Sequence, residues 1–183
     1  MNIFARLSAM IAMAITISAC SEQEANTVLP LPVALSEEAV GHYCNMTILE
    51  HTGPKAQIHL ANNPHPIWFS QVRDGIAFIR SPEEQEDAVV VYVNDMGKAK
   101  DWDSPGDETW IDAGHAWFVI GSRKTGGMGT PEVIPFGLEQ SAAAFAADNG
   151  GLVVRLDDIP DAYVLGPVEL NQETTNPVTG AIR

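Results

Sequence analysis

Apolar and polar positions along this chain fall into short blocks whose period changes in a repeating order. Gln57 to Leu60 alternates, with Ile58 and Leu60 on one face, and predicts a short strand. Asn62-Asn63-Pro64 marks a turn, after which Ile67-Trp68-Phe69 resumes extended structure. Val72, Ile76 and Ile79 then follow at helical spacing, which predicts a helix over 71–80 with Ser70 as its cap. Ala88 to Val93 (AVVVYV) is a β-branched run of buried-strand type. Residues 94–109 are rich in Asn, Asp, Gly and Pro and read as a long connection.

The order then returns. Ala116 to Ile120 predicts a strand, Gly126 to Thr130 a loop, and Val133 to Phe136 a second extended segment. Leu138 to Asp148 is Ala-rich and strongly helical. Asn149-Gly150-Gly151 supplies its C-terminal stop, and Leu152 to Leu156 predicts a closing strand. Ile67, Phe69, Ala77 and Phe78 recur as Ile134, Phe136, Ala144 and Phe145, each offset by 67. That period is too long for a solenoid repeat and points to duplication of one small ββαβ unit. The expected fold class is α+β, with a first ββαβ unit over 39–103 and a second over 104–166. Residues 20–38 are polar, Pro-containing and weakly periodic, and read as a flexible linker; 167–183 read as a loose tail.

The N-terminus belongs to none of this. Arg6 precedes an apolar run from Leu7 to Ile17. About twenty such residues are needed to span a bilayer, so this run is a signal sequence rather than a permanent span. It ends in Ile17-Ser18-Ala19-Cys20, the pattern of a bacterial lipobox, in which the Cys thiol receives diacylglycerol before cleavage. Residues 1–19 are then a signal peptide and Cys20 is the lipidation site. An ordinary secretory signal with a chance Cys is the alternative. The expected location is the periplasmic side of the cell envelope, on a lipid anchor. Ser21, standing where an Asp would favour inner-membrane retention, tilts the choice toward the outer membrane. A net charge of −14, from 10 basic and 24 acidic residues, repels phosphate backbones and argues against a nucleic-acid partner.

Sulfur placement gives the chemical clue. The chain has two cysteines. With Cys20 consumed by lipid, Cys44 is the one free thiol and no disulfide can form within the mature chain. Three methionines lie beyond the signal: Met46 in Tyr43-Cys44-Asn45-Met46, Met96 in Asn94-Asp95-Met96-Gly97, and Met128 in Gly126-Gly127-Met128-Gly129. None falls in an amphipathic helix, the usual place of a gap-filling core Met. One thiolate with neutral thioethers is a soft ligand set that selects Cu(I) over Mg, Ca or Mn. His42 lies two residues before Cys44 and is a further candidate ligand. So few ligands leave the ion open to attack by an acceptor, which suits a carrier. The plainer readings are a packed Cys44, with Met96 and Met128 as plugs at the core edge. Gly126 to Gly129 is not a phosphate loop, since no Gly-Lys-Ser/Thr follows. His51, His59, His65 and His115 lack metalloprotease spacing and read as surface or packing residues.

Taken together, GHYCNM (41–46), EHTGPKAQI (50–58), YVNDMG (92–97), GGMG (126–129) and GGLVVRL (150–156) make the chain resemble the NosL family of copper lipoproteins from denitrifying bacteria. The likeness runs from about Gly41 to Leu165. It implies two similar ββαβ units related to the organomercury lyase fold. It also implies a Cu(I) chaperone, one ion per monomer, supplying the copper–sulfide site of nitrous oxide reductase with a NosDFY-type ABC transporter complex. Carried over by motif, the implied ligands are Cys44, Met46 and Met96, with Met128 and His42 auxiliary. Two other classes remain: a non-metal scaffold lipoprotein, and a thiol enzyme akin to organomercury lyase, which would need a second thiol.

Overall fold

The computed structural model describes residues 29–84 and 87–168. The expected signal peptide, Cys20 and the segment 169–183 lie outside the described residues.

Two small sheets, each with its own helix, embody the repeat. The first holds β1 (Ala56–Leu60), β2 (Ile67–Phe69), β3 (Ala88–Asn94) and β4 (Trp110–Asp112) in the order β2-β1-β3-β4, with α1 (Val72–Arg80) joining β2 to β3. The second holds β5 (Trp117–Ile120), β6 (Ile134–Phe136) and β7 (Leu152–Val154) in the order β6-β5-β7, with α2 (Glu139–Asn149) joining β6 to β7. A short α3 (Asp161–Leu165) follows and packs on α1. All strand pairs are antiparallel. Ile58 in β1 lies opposite Ile67 and Val91, as Val119 in β5 lies opposite Ile134 and Val153. The duplicated α+β architecture predicted from the sequence is therefore present. Among the described residues, no helix is long and apolar enough to cross a membrane.

Register alternation explains how the layers stack. Ala56, Ile58 and Leu60 of β1 enter one core with Phe69, Val72, Ile76 and Phe78, and that core also takes Phe118 and Ile120 from β5. Val119, the residue between them, points the other way into a second cluster with Ile134, Phe136 and Ala142 beneath α2. The second sheet is thus buried on both faces, which is why its central strand reads as an unbroken apolar run.

Three local expectations differ. Trp110–Asp112, placed by sequence in the second unit, pairs with β3 and widens the first sheet. Its partner strand lies across the connection 94–109, and no local pattern marks that pairing. Ser70 does not cap α1; the N-cap is Gln71, and it makes no side-chain cap hydrogen bond. Instead the N–H of Arg73 donates to Glu132 Oε1 at 2.9 Å, so the first unit's helix is capped by a carboxyl from the second. Finally, the described part of the expected flexible linker is docked. Gln57, fully buried, exchanges hydrogen bonds with both backbone groups of Val33, at 2.8 Å from the N–H and 3.0 Å to the carbonyl. Tyr92 donates to the Pro30 carbonyl at 2.7 Å, and the Leu35 N–H donates to Asp107 at 2.7 Å.

Candidate metal centre

Cys44 sits in a tight turn before β1. Val40 and Thr47 form an antiparallel bridge, the Gly41 N–H donates to the Met46 carbonyl at 2.9 Å, and the Asn45 N–H donates back to Gly41 at 2.8 Å. Asn45 takes a left-handed conformation (φ 54°), a region its short polar side chain tolerates. The turn folds the thiol back over Gly41, where an added Cβ would lie 2.5 Å from the sulfur. Glycine is required there because the thiol occupies the space. Cys44 is half-buried, so its sulfur is sheltered without being sealed.

The start of α1 gathers the pieces. Ser70 Oγ lies 3.8 Å from Cys44 Sγ. The next residue, Gln71, accepts from the Met128 N–H at 3.1 Å and from the Thr130 hydroxyl at 2.9 Å, while its amide donates to Asp74 at 3.1 Å. Two consecutive side chains therefore tie the Cys44 turn and the Met128 loop to one helix end. Gly126 and Gly127 let that loop come so close. A Cβ on Gly126 would meet Glu132 Oε2 at 2.3 Å, and one on Gly127 would meet His51 Cβ at 2.7 Å and the Ser70 carbonyl at 3.0 Å.

His51 joins the group by that route, and sequence reasoning missed it. Its Nδ1 lies 3.2 Å from the Gly127 carbonyl. A carbonyl only accepts, so Nδ1 is the donor and Nε2 is the nitrogen left without a task in that contact. Nε2 is buried and has no hydrogen-bond partner among the described residues. A ring held through one nitrogen by a backbone carbonyl, with the other bare, is the usual arrangement of a metal-ligating histidine. Spacing could not reveal this, because the partner carbonyl lies 76 residues away.

The other expected ligands are placed differently. Met46 and Met128 are exposed, at 40% and 41%, with thioethers open to a visitor. Met96 is half-buried and packs against the cluster of Val119, Ile134, Phe136 and Ala142, its N–H donating to the Pro135 carbonyl at 2.9 Å. It lies at the same end of the first sheet as Ser70, since Phe69, Ala56 and Val93 form one row across the strands. Joining Cys44 would require its side chain to leave that cluster. His42 is exposed, and its ring packs 5.2 to 5.6 Å from the rings of Tyr43, Phe69 and Phe78. Among the described residues no three His, Cys, Asp or Glu converge as a metal-holding group.

Two buried ionisable groups flank the site. Burial pushes the Glu132 carboxyl up to about 8, against the opposing pull of the Arg73 and Val133 N–H groups. Its Oε2 has no partner among the described residues. Burial pulls the Lys55 ammonium down to about 8, although it donates to the Thr52 and Gly53 carbonyls at 2.9 and 2.6 Å.

Comparisons with known proteins converge on one family. The chain is 51% identical over 158 residues to the copper-binding lipoprotein NosL of Achromobacter cycloclastes, covering 86% of this chain and 81% of that one. It is 31% identical over 152 residues to the copper-binding lipoprotein NosL of Stutzerimonas stutzeri, covering 83% and 78%. The crystal structure of the copper chaperone NosL from Shewanella denitrificans superimposes with a TM-score of 0.68 at 34% identity, covering 72% of this chain and 97% of that one. The NosL family profile matches residues 32–164, a span that runs from the docked linker through both sheets and takes in Cys44, Met46, Met96 and Met128. With duplicated sheets, a Cys-x-Met turn and a Gly-rich Met loop inside that span, the chain belongs to the NosL family.

Proposed function

We propose that this protein is a copper-binding lipoprotein that carries one Cu(I) ion per monomer. Copper here is cargo. Cys44 supplies the anionic sulfur, and the neutral donors are Met46 two residues on, Met128 on the loop tied to Gln71, and His51, whose ring is held by that loop. Met96 is the thioether that would complete the set by leaving its apolar cluster, with His42 in reserve. Soft, mostly neutral donors favour a monovalent soft ion and disfavour Mg or Ca. The carrying observation is the double tie at the start of α1, where Ser70 meets the Cys44 thiol and Gln71 holds the Met128 loop.

Release follows from the same features. Exposed thioethers are weak, displaceable ligands, so an acceptor's sulfur can enter before Cys44 leaves. The relatives are named for binding copper or for chaperoning it, and none is named for a catalysed reaction. We further propose that the ion goes to the catalytic copper–sulfide site of nitrous oxide reductase through a NosDFY-type ABC transporter complex. The protein would work on the periplasmic side of the envelope, held by lipid on Cys20, with the outer membrane favoured over the inner. Anaerobic titration with Cu(I) against a chromophoric chelator tests the core of this reading. One ion should bind per chain, and Cys44→Ala should weaken binding by more than about a hundredfold. Unchanged binding in Cys44→Ala would remove the physical basis of the carrier.

A further inference from the structure

The docked linker offers an interaction surface of its own. Between Pro30 and Leu35 the backbone is turned inward: the Pro30 carbonyl to Tyr92, both groups of Val33 to Gln57, the Leu35 N–H to Asp107. The apolar side chains go outward. Leu29 is 43% exposed, Leu31 81% and Val33 43%. A segment that satisfies its polar groups against the fold and leaves its apolar ones uncovered is not organised as a tether through water. Its charge pattern agrees. No charged residue occurs from Ala25 to Ser36, in a chain of net charge −14. Cys20 lies nine positions before Leu29, a reach of at most roughly 30 Å.

We propose that Leu29, Leu31 and Val33 form an edge that rests in the lipid surface beside the anchor, so that the first sheet stands at a fixed attitude to the bilayer. The inference rests on the reading of Cys20 as acylated. Apolar contact near an acyl chain needs no attraction to anionic headgroups, and the uncharged run avoids the repulsion that the rest of this acidic surface would meet. Gln57 is the clamp that converts a local contact into an orientation, because it fixes the backbone of Val33 to the centre of β1.

The test uses the full acylated protein in vesicles of phosphatidylethanolamine and phosphatidylglycerol, carrying Cys44→Ser so that one introduced thiol takes a nitroxide label. With Leu31→Cys, collisions with oxygen should exceed those with a water-soluble nickel chelate. At Leu152→Cys, 68% exposed on the edge of the second sheet, the ratio should invert. Adding Leu29→Ser and Val33→Ser should bring the label at 31 out into water. A label at 31 that stays in water on acylated protein overturns the inference alone. A label shielded from both reagents also overturns it, and assigns the edge to protein contact. Intact mass showing Cys20 unmodified in the functional protein would sink the anchor reading, and this inference with it.

Discussion

The two halves of the molecule share a plan and differ in how they use it. In the first, α1 buries Val72, Arg73, Gly75, Ile76 and Phe78, and its sheet has a fourth strand and a docked segment across its outer face. In the second, α2 wholly buries only Ala142 and covers its sheet with small residues. The loop between the first two strands occupies 61–66 in one half and 121–133 in the other. The first half is organised as a rigid base that positions the thiol. The second lengthens one loop and brings a methionine back to that base. The two frames are alike in plan, and the longer loop of the second meets the helix start of the first.

The largest test of that contrast is mechanical. Ile76→Ala should cost about 2–5 kcal/mol of unfolding free energy, while Phe145→Ala on the more exposed helix should cost less than half as much. Urea denaturation of both variants measures the difference; equal losses would mean that the halves share the load evenly.

The second test is electrostatic and crosses the boundary. Glu132 binds its proton more tightly in the folded protein than in the unfolded chain, with a folded value of about 8 against an ordinary 4.5. Its contribution is therefore fully present below about pH 4.5 and is lost as pH rises through about 8. Glu132→Gln keeps an oxygen for the Arg73 and Val133 N–H groups and cannot ionise. Urea midpoints should fall between pH 5 and 9 in the parent protein and fall less in the variant. Parallel profiles would show that Glu132 is not the titrating group.

The smallest effect separates the two later methionines. Met128→Ala should weaken Cu(I) binding by about tenfold, or 1.4 kcal/mol, and leave stability unchanged, because its side chain is exposed. Met96→Ala should move both readouts, because its thioether packs in the second cluster. If Met96→Ala lowers stability alone, the Asp-Met-Gly turn is a core plug and Met128 is the functional thioether.

Much of this was legible in the chain. Both helices and the strands that flank them announce themselves by period, and the offset of 67 survives in space because β2 and β6 keep it. The failures share a cause. β4 pairs with β3 across the 94–109 connection, and α3 is a five-residue turn whose packing on α1 is long-range. The docking of 30–35 depends on Gln57, Tyr92 and Asp107, polar groups that nothing local marks as anchors. The candidate site was half legible. Cys44, Met46 and Met128 stood out by residue type and glycine neighbours. The role of Ser70, the Gln71 tie and the bare nitrogen of His51 all depend on partners 26 to 76 residues away. Local pattern carries no information about contacts of that range.

The cap that Glu132 places on α1 has a consequence for how the chain becomes competent. A polypeptide that emerges N-terminus first presents Cys44 and the whole first sheet early, yet the helix against which the thiol rests lacks its terminating carboxyl until residue 132 has arrived. That contact closes only when both halves are present, and a chain cut short before residue 132 would carry the Cys44 turn beside an uncapped helix.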